Sequence, residues 1–276
     1  GGRAMALLLR RCGPLRARLG LLRPRCSSSA PAAAPGFFEL RQTELQPNKV
    51  EDFNDLLKAS PLAGKSPLGA WTTDIGESAA RVYHLYDWAD YDERDERQAA
   101  FGRSPDFRDV RHRWGLCVAR DSSSIFAEAT PMLTAVGLPG MLGYAAQAKA
   151  PKGHTGARRV AGVNPAVYEL RTYQLRLGYS TVPRFLELYK AGLEDKLAAD
   201  STGQSELVSL LHSEAGAAPL NTVVELWRHE SMQGSQVSRA ASRGAPAWRK
   251  AVGDIAELAS TFTTQFLRPV EGSTLR

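Results

Sequence analysis

Apolar and polar residues alternate with a period of two through Phe37-Phe38-Glu39-Leu40-Arg41-Gln42-Thr43-Glu44-Leu45, and again 130 residues later through Val167-Tyr168-Glu169-Leu170-Arg171-Thr172-Tyr173-Gln174-Leu175. Both stretches are too rich in aromatic and branched residues for a loop, and a period of two is the signature of a strand. Each strand puts Glu-x-Arg on one face and Phe38 with Leu40, or Tyr168 with Leu170, on the other. The recurrence predicts a duplicated unit. The apolar face is expected to meet helices, and the Glu-x-Arg face to look the other way.

The same order of patterns follows each strand. In the first copy, Asn48 and Glu51 have capping-box spacing ahead of a helical stripe of Val50, Phe53 and Leu57. Strand patterns occupy Ala70–Ile75 and Arg81–Tyr86 around the turn Gly76-Glu77-Ser78-Ala79. A charged helix starts near Asp90, breaks at Gly102-Arg103-Ser104-Pro105 and resumes through Phe107, Val110 and Trp114. Ser124–Glu128 is the fourth strand. In the second copy, Ser180 or Thr181 caps a helix with Pro183 in its first turn and a stripe of Val182, Phe185, Leu186, Tyr189 and Leu193. Strands at Leu207–His212 and Thr222–Trp227 follow, then a helix from Gln233 broken at Gly244-Ala245-Pro246. Trp248, Val252 and Ile255 continue it, and Thr261–Leu267 closes the sheet.

Strand-helix-strand-strand-helix-strand, read twice, is the ferredoxin-like split βαβ unit. The fold class is therefore α+β, two tandem ferredoxin-like repeats over 37–136 and 167–270 forming a pseudo-dimeric barrel. Residues 137–166, with six glycines and Pro139, Pro151 and Pro165, read as a mobile linker, and 271–276 as a tail.

Composition changes this picture in one place. The chain has 276 residues, 43% of them hydrophobic, enough for two packed halves. Its formal charge of +6 comes from residues 1–36, which hold seven arginines and no acid; without them 28 bases face 29 acids. No broad phosphate-binding surface is implied, so nucleic acid is not expected as a partner. From Met5, the expected initiator, Leu8, Leu15 and Leu22 lie on one heptad and Arg11, Arg18 and Arg25 on another. This is a basic, acid-poor presequence of mitochondrial type; a disordered basic tail and a secretory signal are the alternatives. No run reaches the length of a membrane span. Cys12 and Cys26 lie in this segment and Cys117 stands alone beyond it, which suits a reducing compartment and gives no metal set.

The run Val167–Leu175, with Leu220–Trp227 as a third strand and Phe107 and Trp248 after the helix breaks, resembles the NipSnap family, and within it the branch of the third vertebrate homologue. The resemblance spans about 37–135 and 166–270, and the first copy departs from it at Thr43 and Gln46. It implies two units of the dimeric α+β barrel type in a mitochondrial protein, facing the matrix or alternatively the cytosol, without enzymatic activity or cofactor. It further implies protein partners of the autophagy and trafficking kind, a mitophagy adaptor being one such role, and self-association into a homo-oligomer.

If the sheets of the two halves pack face to face, Glu39, Arg41, Glu169 and Arg171 look into a shared interior, with Tyr173, Glu225 and Trp227 as walls. Four buried charges must then pair. Such a cavity could orient a small anion or carbonyl compound, as in a monooxygenase or isomerase of this architecture. The plainer alternative is an ion-pair cluster that fixes how the halves dock. His84, His112, His154, His212 and His229 share no metal-ligand spacing. His112 and His212 are the two that barrel chemistry could use. Gly64-Lys65-Ser66 lacks the rest of a phosphate loop, Ser122-Ser123-Ser124 lacks a nucleophile elbow, and Asp92–Arg97 reads as a solvated helix face. Trp71, Trp114 and Trp248 read as core. Lys152, Arg158 and Arg159 are the only case for RNA binding.

Overall fold

The first half of the chain contributes β1 (Phe37–Leu45), α1 (Val50–Ala59), β2 (Gly69–Ile75), β3 (Arg81–Trp88), α2 (Tyr91–Gly102), α3 (Phe107–Cys117) and β4 (Val118–Glu128). After α4 (Thr130–Ala135) and α5 (Gly140–Ala148), the order repeats as β5 (Val167–Leu175), α6 (Thr181–Ala199), β6 (Ser205–Gly216), β7 (Thr222–His229), α7 (Met232–Ser242), α8 (Pro246–Leu258) and β8 (Ala259–Pro269). The structure, a computed structural model, describes residues 36–59, 64–148, 166–271 and 273–275. The presequence expected over 1–36 lies, but for Gly36, outside the described residues, as do His154, Lys152, Arg158 and Arg159.

All eight strands join one closed barrel in the order β1-β3-β2-β8-β5-β7-β6-β4, and every pairing is antiparallel. Within each half the first and third strands are central. The edge strands β2 and β4 pair with β8 and β6 of the other half. Closure therefore removes every free edge, the usual place where strands aggregate. At the β4–β6 junction the chain comes so close that a Cβ on Gly216, at φ 109°, would stand 2.4 Å from the Ser123 carbonyl oxygen. Only glycine fits there.

The face assignment expected for β1 and β5 is reversed. Phe38, Leu40, Tyr168 and Leu170 point into the barrel, where they pack with Trp71, Tyr83, Leu85, Phe126, Val208, Leu211, Val224, Leu226 and Leu267. Trp71 and Tyr168 meet across it, their rings 5.2 Å apart. Glu39, Arg41, Glu169, Arg171, Tyr173, Glu225 and Trp227 lie on the outer faces, under the helices. They are not in a shared interior. An eight-stranded barrel is just wide enough for side chains to fill. It takes the face without charges, and the small space left among Leu40, Tyr83, Leu170 and Leu226 is lined without a charged side chain.

Helices and chain ends complete this core. The stretch expected as a mobile linker carries α5, which buries Met141, Tyr144 and Ala145 against the interior cluster. Glu128 accepts a hydrogen bond from the Met141 amide at 2.6 Å and Tyr144 donates to Glu206 at 2.7 Å. The expected tail also docks: Leu275 is buried in the same cluster and its amide donates to the Leu68 carbonyl at 3.1 Å. Asn48 does not cap α1; it adopts a left-handed turn at φ 62°, which asparagine tolerates.

Because the interior is filled, removing part of it should leave a void. Leu170→Ala is expected to cost about 2–5 kcal/mol in urea unfolding. A cost below about 1 kcal/mol would mean that the barrel is not packed as described.

Candidate binding site

The outer face of the second half gathers Glu169, Arg171, Tyr173 and Glu225, four of the six ionisable groups expected in a shared interior. On β5, Glu169, Arg171 and Tyr173 alternate outward. β7 places Trp227 opposite Glu169 and Glu225 opposite Arg171, and β8 places Phe266 and Thr264 beside them. Glu169 is fully buried and accepts five hydrogen bonds. They come from Arg171 Nε (2.7 Å) and Nη2 (3.0 Å), His229 Nε2 (3.0 Å), Thr264 Oγ1 (2.7 Å) and Arg239 Nη2. The Glu169 carboxylate, which can only accept, fixes the His229 tautomer with its proton on Nε2, and the Ser205 hydroxyl then donates to Nδ1 at 2.7 Å. Burial resists ionisation of Glu169, but these donors overcome it and hold its carboxyl well below the ordinary 4.5. Burial keeps His229 below its ordinary value, so the ring is neutral at pH 7.

Below this layer lies a second one. Glu225 takes Trp227 Nε1 at 2.5 Å and Arg171 Nη1 at 3.5 Å, and its Oε1 has no well-formed partner. Burial, and then the Glu225 charge, push the phenols of Tyr173 and Tyr189 well above 10. Lys196 Nζ is buried without a hydrogen bond, 3.7 Å from the Trp227 ring centre and 4.3 Å from that of Trp248. Burial, then Arg171, lowers its ammonium to about 7; the two indole faces act in the opposite sense.

The helices are fixed over this face by specific packing. Gly192 of α6 allows α8 to approach so closely that a Cβ would fall 2.6 Å from that of Ala251 and 3.0 Å from Trp248 Cα. Asp195 of α6 accepts from the Ala247 amide at 2.8 Å, at the start of α8. Ser231 caps α7 by accepting from the Gly234 amide, and α7 then delivers Arg239 to Glu169. Between α7, α8, β5 and β8 remains an open cleft of about 660 Å³. Glu169, Arg171 and Tyr173 are part of its lining, Arg239 and Arg243 stand on one side, and Trp248, Val252, Ile255 and Phe262 supply apolar wall.

The first half does not repeat this arrangement. Glu39 accepts from Trp88 Nε1 (3.1 Å) and from Arg94 of α2 (2.9 and 3.3 Å). Arg41 turns away to Asp121 at 2.5 Å. β1 and β5 stand four strands apart either way around the barrel, so Glu39 and Arg41 do not join Glu169, Arg171, Tyr173, Glu225 and Trp227. In the position equivalent to Glu225 stands His84, stacked on Phe53, with both ring nitrogens buried and unpartnered. Burial lowers its pKa to about 3. His112 is exposed and His212 half-buried, and no metal-ligating group of three occurs among the described residues.

Sequence reasoning missed Arg239, His229, Thr264 and Lys196. Lys196 had left a signal: it continues the buried stripe of Phe185, Tyr189, Gly192 and Leu193 at helical spacing. Arg239 stands in a helix whose buried face is otherwise Gly234, Ser235, Ser238 and Ser242, small residues that let a long side chain lie down.

Two consequences can be measured. Glu169 contributes stability that is complete above about pH 4.5 and is lost as pH falls, because its folded pKa is the lower one. Glu169→Gln leaves buried arginines short of a counter-charge and should cost about 3–5 kcal/mol at pH 7, with a flatter acid limb in denaturant titrations. His84 stays neutral when folded, so its contribution is complete above 6.5 and is lost toward about 3. Across that window each pH unit costs about 1.4 kcal/mol. His84→Phe should therefore stabilise the chain by about 1–3 kcal/mol and flatten the profile between pH 6.5 and 5.

Comparison with known proteins agrees with this architecture. The NIPSNAP family profile matches residues 38–130 and 168–274, one segment in each half. Protein NipSnap homolog 3B of Mus musculus is 24% identical over 245 residues, covering 87% of this chain and 86% of its own. A putative monooxygenase from Fusobacterium nucleatum superposes with a TM-score of 0.52 at 8% identity, over 86% of this chain and 94% of its own. A putative monooxygenase from Lactobacillus acidophilus gives the same four values. At that identity these two structures share the fold alone. With two matched segments that together span most of the chain, one on each half of the barrel, this protein belongs to the NipSnap family.

Proposed function

We propose that this protein is a mitochondrial binding protein without enzymatic activity, and that the cleft of its second half is its recognition site. One observation carries the reading: of the groups that line the cleft, the two that could serve as a base, Glu169 and Tyr173, are each held in one protonation state. A general base must be free to take a proton near neutral pH. Glu169 holds five hydrogen bonds and a depressed pKa, and Arg171 is tied to Glu169 and Glu225. Tyr173 is held protonated. Such a set is rigid and charged, suited to orienting a bound group rather than transforming it. The volume of about 660 Å³ lies within the range of about 300–1,000 Å³ typical of small-ligand sites. The seven arginines and absent acids of residues 1–36 support delivery to mitochondria, with the matrix as destination.

An adaptor role toward protein partners, of the autophagy or trafficking kind, has separate support. Leu177, Tyr179 and Leu220 stand exposed on two loops at one end of the barrel, and the loops are tied together by Asn221 Nδ2 donating to the Arg176 carbonyl at 2.8 Å. Exposed apolar side chains grouped in this way mark contact surfaces, and tyrosine is among the residues that carry most of the energy of protein interfaces.

Native mass spectrometry of the chain purified from mitochondria should detect a small bound molecule, shed when Val252→Arg and Phe262→Arg fill the cleft. Consumption of that molecule on incubation with fresh protein would overturn the non-enzymatic reading. Partners captured from mitochondrial lysate should be lost with Leu177→Ser and Tyr179→Ser but kept in the filled-cleft variant.

A further inference from the structure

The cleft of the second half has a charge and a shape that together select one class of ligand. Its ionisable groups, counted with those directly beneath, are Glu169 and Glu225 against Arg171, Arg239 and Arg243, with Lys196 adding at most one more charge. The balance is positive. Arg171 is consumed by the two glutamates, whereas Arg239 commits one terminal nitrogen to Glu169 and keeps 37% of its side chain exposed. Its Nε is buried without a partner. Arg243, exposed at the end of α7, has no ion-pair partner among the described residues. The acid of α8 nearest in sequence to this wall, Asp254, is held by Lys250 at 2.6 Å.

The rest of the wall is apolar and in part uncovered. Phe262 is 51% and Val252 39% exposed, and both line the cleft with Ile255 and Trp248. Leaving these side chains in water is unfavourable in proportion to their apolar area, so an occupant that covers them gains that term. A guanidinium with free donors binds planar carboxylates and phosphates through paired hydrogen bonds.

We propose that the cleft binds an amphipathic organic anion, its acid group between Arg239 and Arg243 and its hydrocarbon or aryl body along Val252, Ile255, Phe262 and Trp248. This rests on the cleft being the recognition site, and it adds the chemistry of the ligand. The acid group is a carboxylate or a phosphate monoester, which share the same donors.

Isothermal titration of the full chain with four ten-carbon probes tests it: decanoate, decyl phosphate, decanol and decyltrimethylammonium. Decanoate or decyl phosphate should bind about tenfold more tightly than decanol, the gain expected of one charge-assisted hydrogen bond, and the tighter of the two identifies the head group. The ammonium probe should bind more weakly than decanol. Arg243→Gln, at an exposed helix end outside the Glu169 cluster, should reduce the anion's affinity about five- to tenfold and leave decanol unchanged. Raising the salt concentration should weaken the anion alone. Equal binding of decanol and decanoate, or preference for the ammonium, would overturn the proposal. If in that case Val252→Arg with Phe262→Arg still abolishes binding, the cleft remains the recognition site and only the ligand chemistry is wrong. Binding of all probes that survives the filled-cleft variant would remove both.

Discussion

The width of an eight-stranded barrel decides where every charged side chain of this protein can go. Its interior holds side chains and nothing else, so it accepts Phe38, Leu40, Tyr168, Leu170 and their neighbours and rejects the Glu-x-Arg face. The rejected charges must then be satisfied beneath helices, where an unpaired carboxylate costs several kcal/mol. The helix following the third strand of each half answers this need with an arginine, Arg94 for Glu39 and Arg239 for Glu169. The barrel is thus dry because its outer faces are wet with internal hydrogen bonds. Core and candidate site are two results of one geometric limit.

The two halves meet that limit differently. α1 has 10 residues and α6 has 19, and the added turns of α6 bring Gly192, Asp195 and Lys196 against α8. They set Trp248 in place and build the second charged layer. In the first half a histidine stands where the second has Glu225, and Arg41 pairs with Asp121. The first half carries the same strand pattern as a structural element, without the layered cluster that faces the cleft.

Much of this was legible from the chain alone. The repeat, the order of its elements and the helix breaks at Gly102–Pro105 and Gly244–Pro246 follow from period and punctuation, which are local properties. Glu169, Arg171 and Tyr173 stand beside Glu225 and Trp227 because strand alternation puts them on one face whichever way it points. The direction of that face was not local. Both sides of each central strand are buried, so alternation cannot say which is covered by helices and which closes on itself. Arg239 escaped for a related reason: it reads as a surface residue until a partner 70 residues away is placed beside it. Lys196 lies on the buried stripe of α6, but the indole pair from β7 and α8 that receives it is not local. The segment from 140 to 148 looked like a linker because glycine and proline surround it, yet Met141 and Tyr144 had the apolar weight to dock.

The junctions β2–β8 and β4–β6 join halves that belong to one polypeptide. A ring made from two identical chains would have to repeat each substitution on both sides, so a change that helps one face would be imposed on its twin. Covalent linkage lifts that symmetry. A longer helix, a threonine at 43 where the other half has Tyr173, or a redirected arginine can be confined to one side, and one half is free to specialise while the other goes on closing the ring.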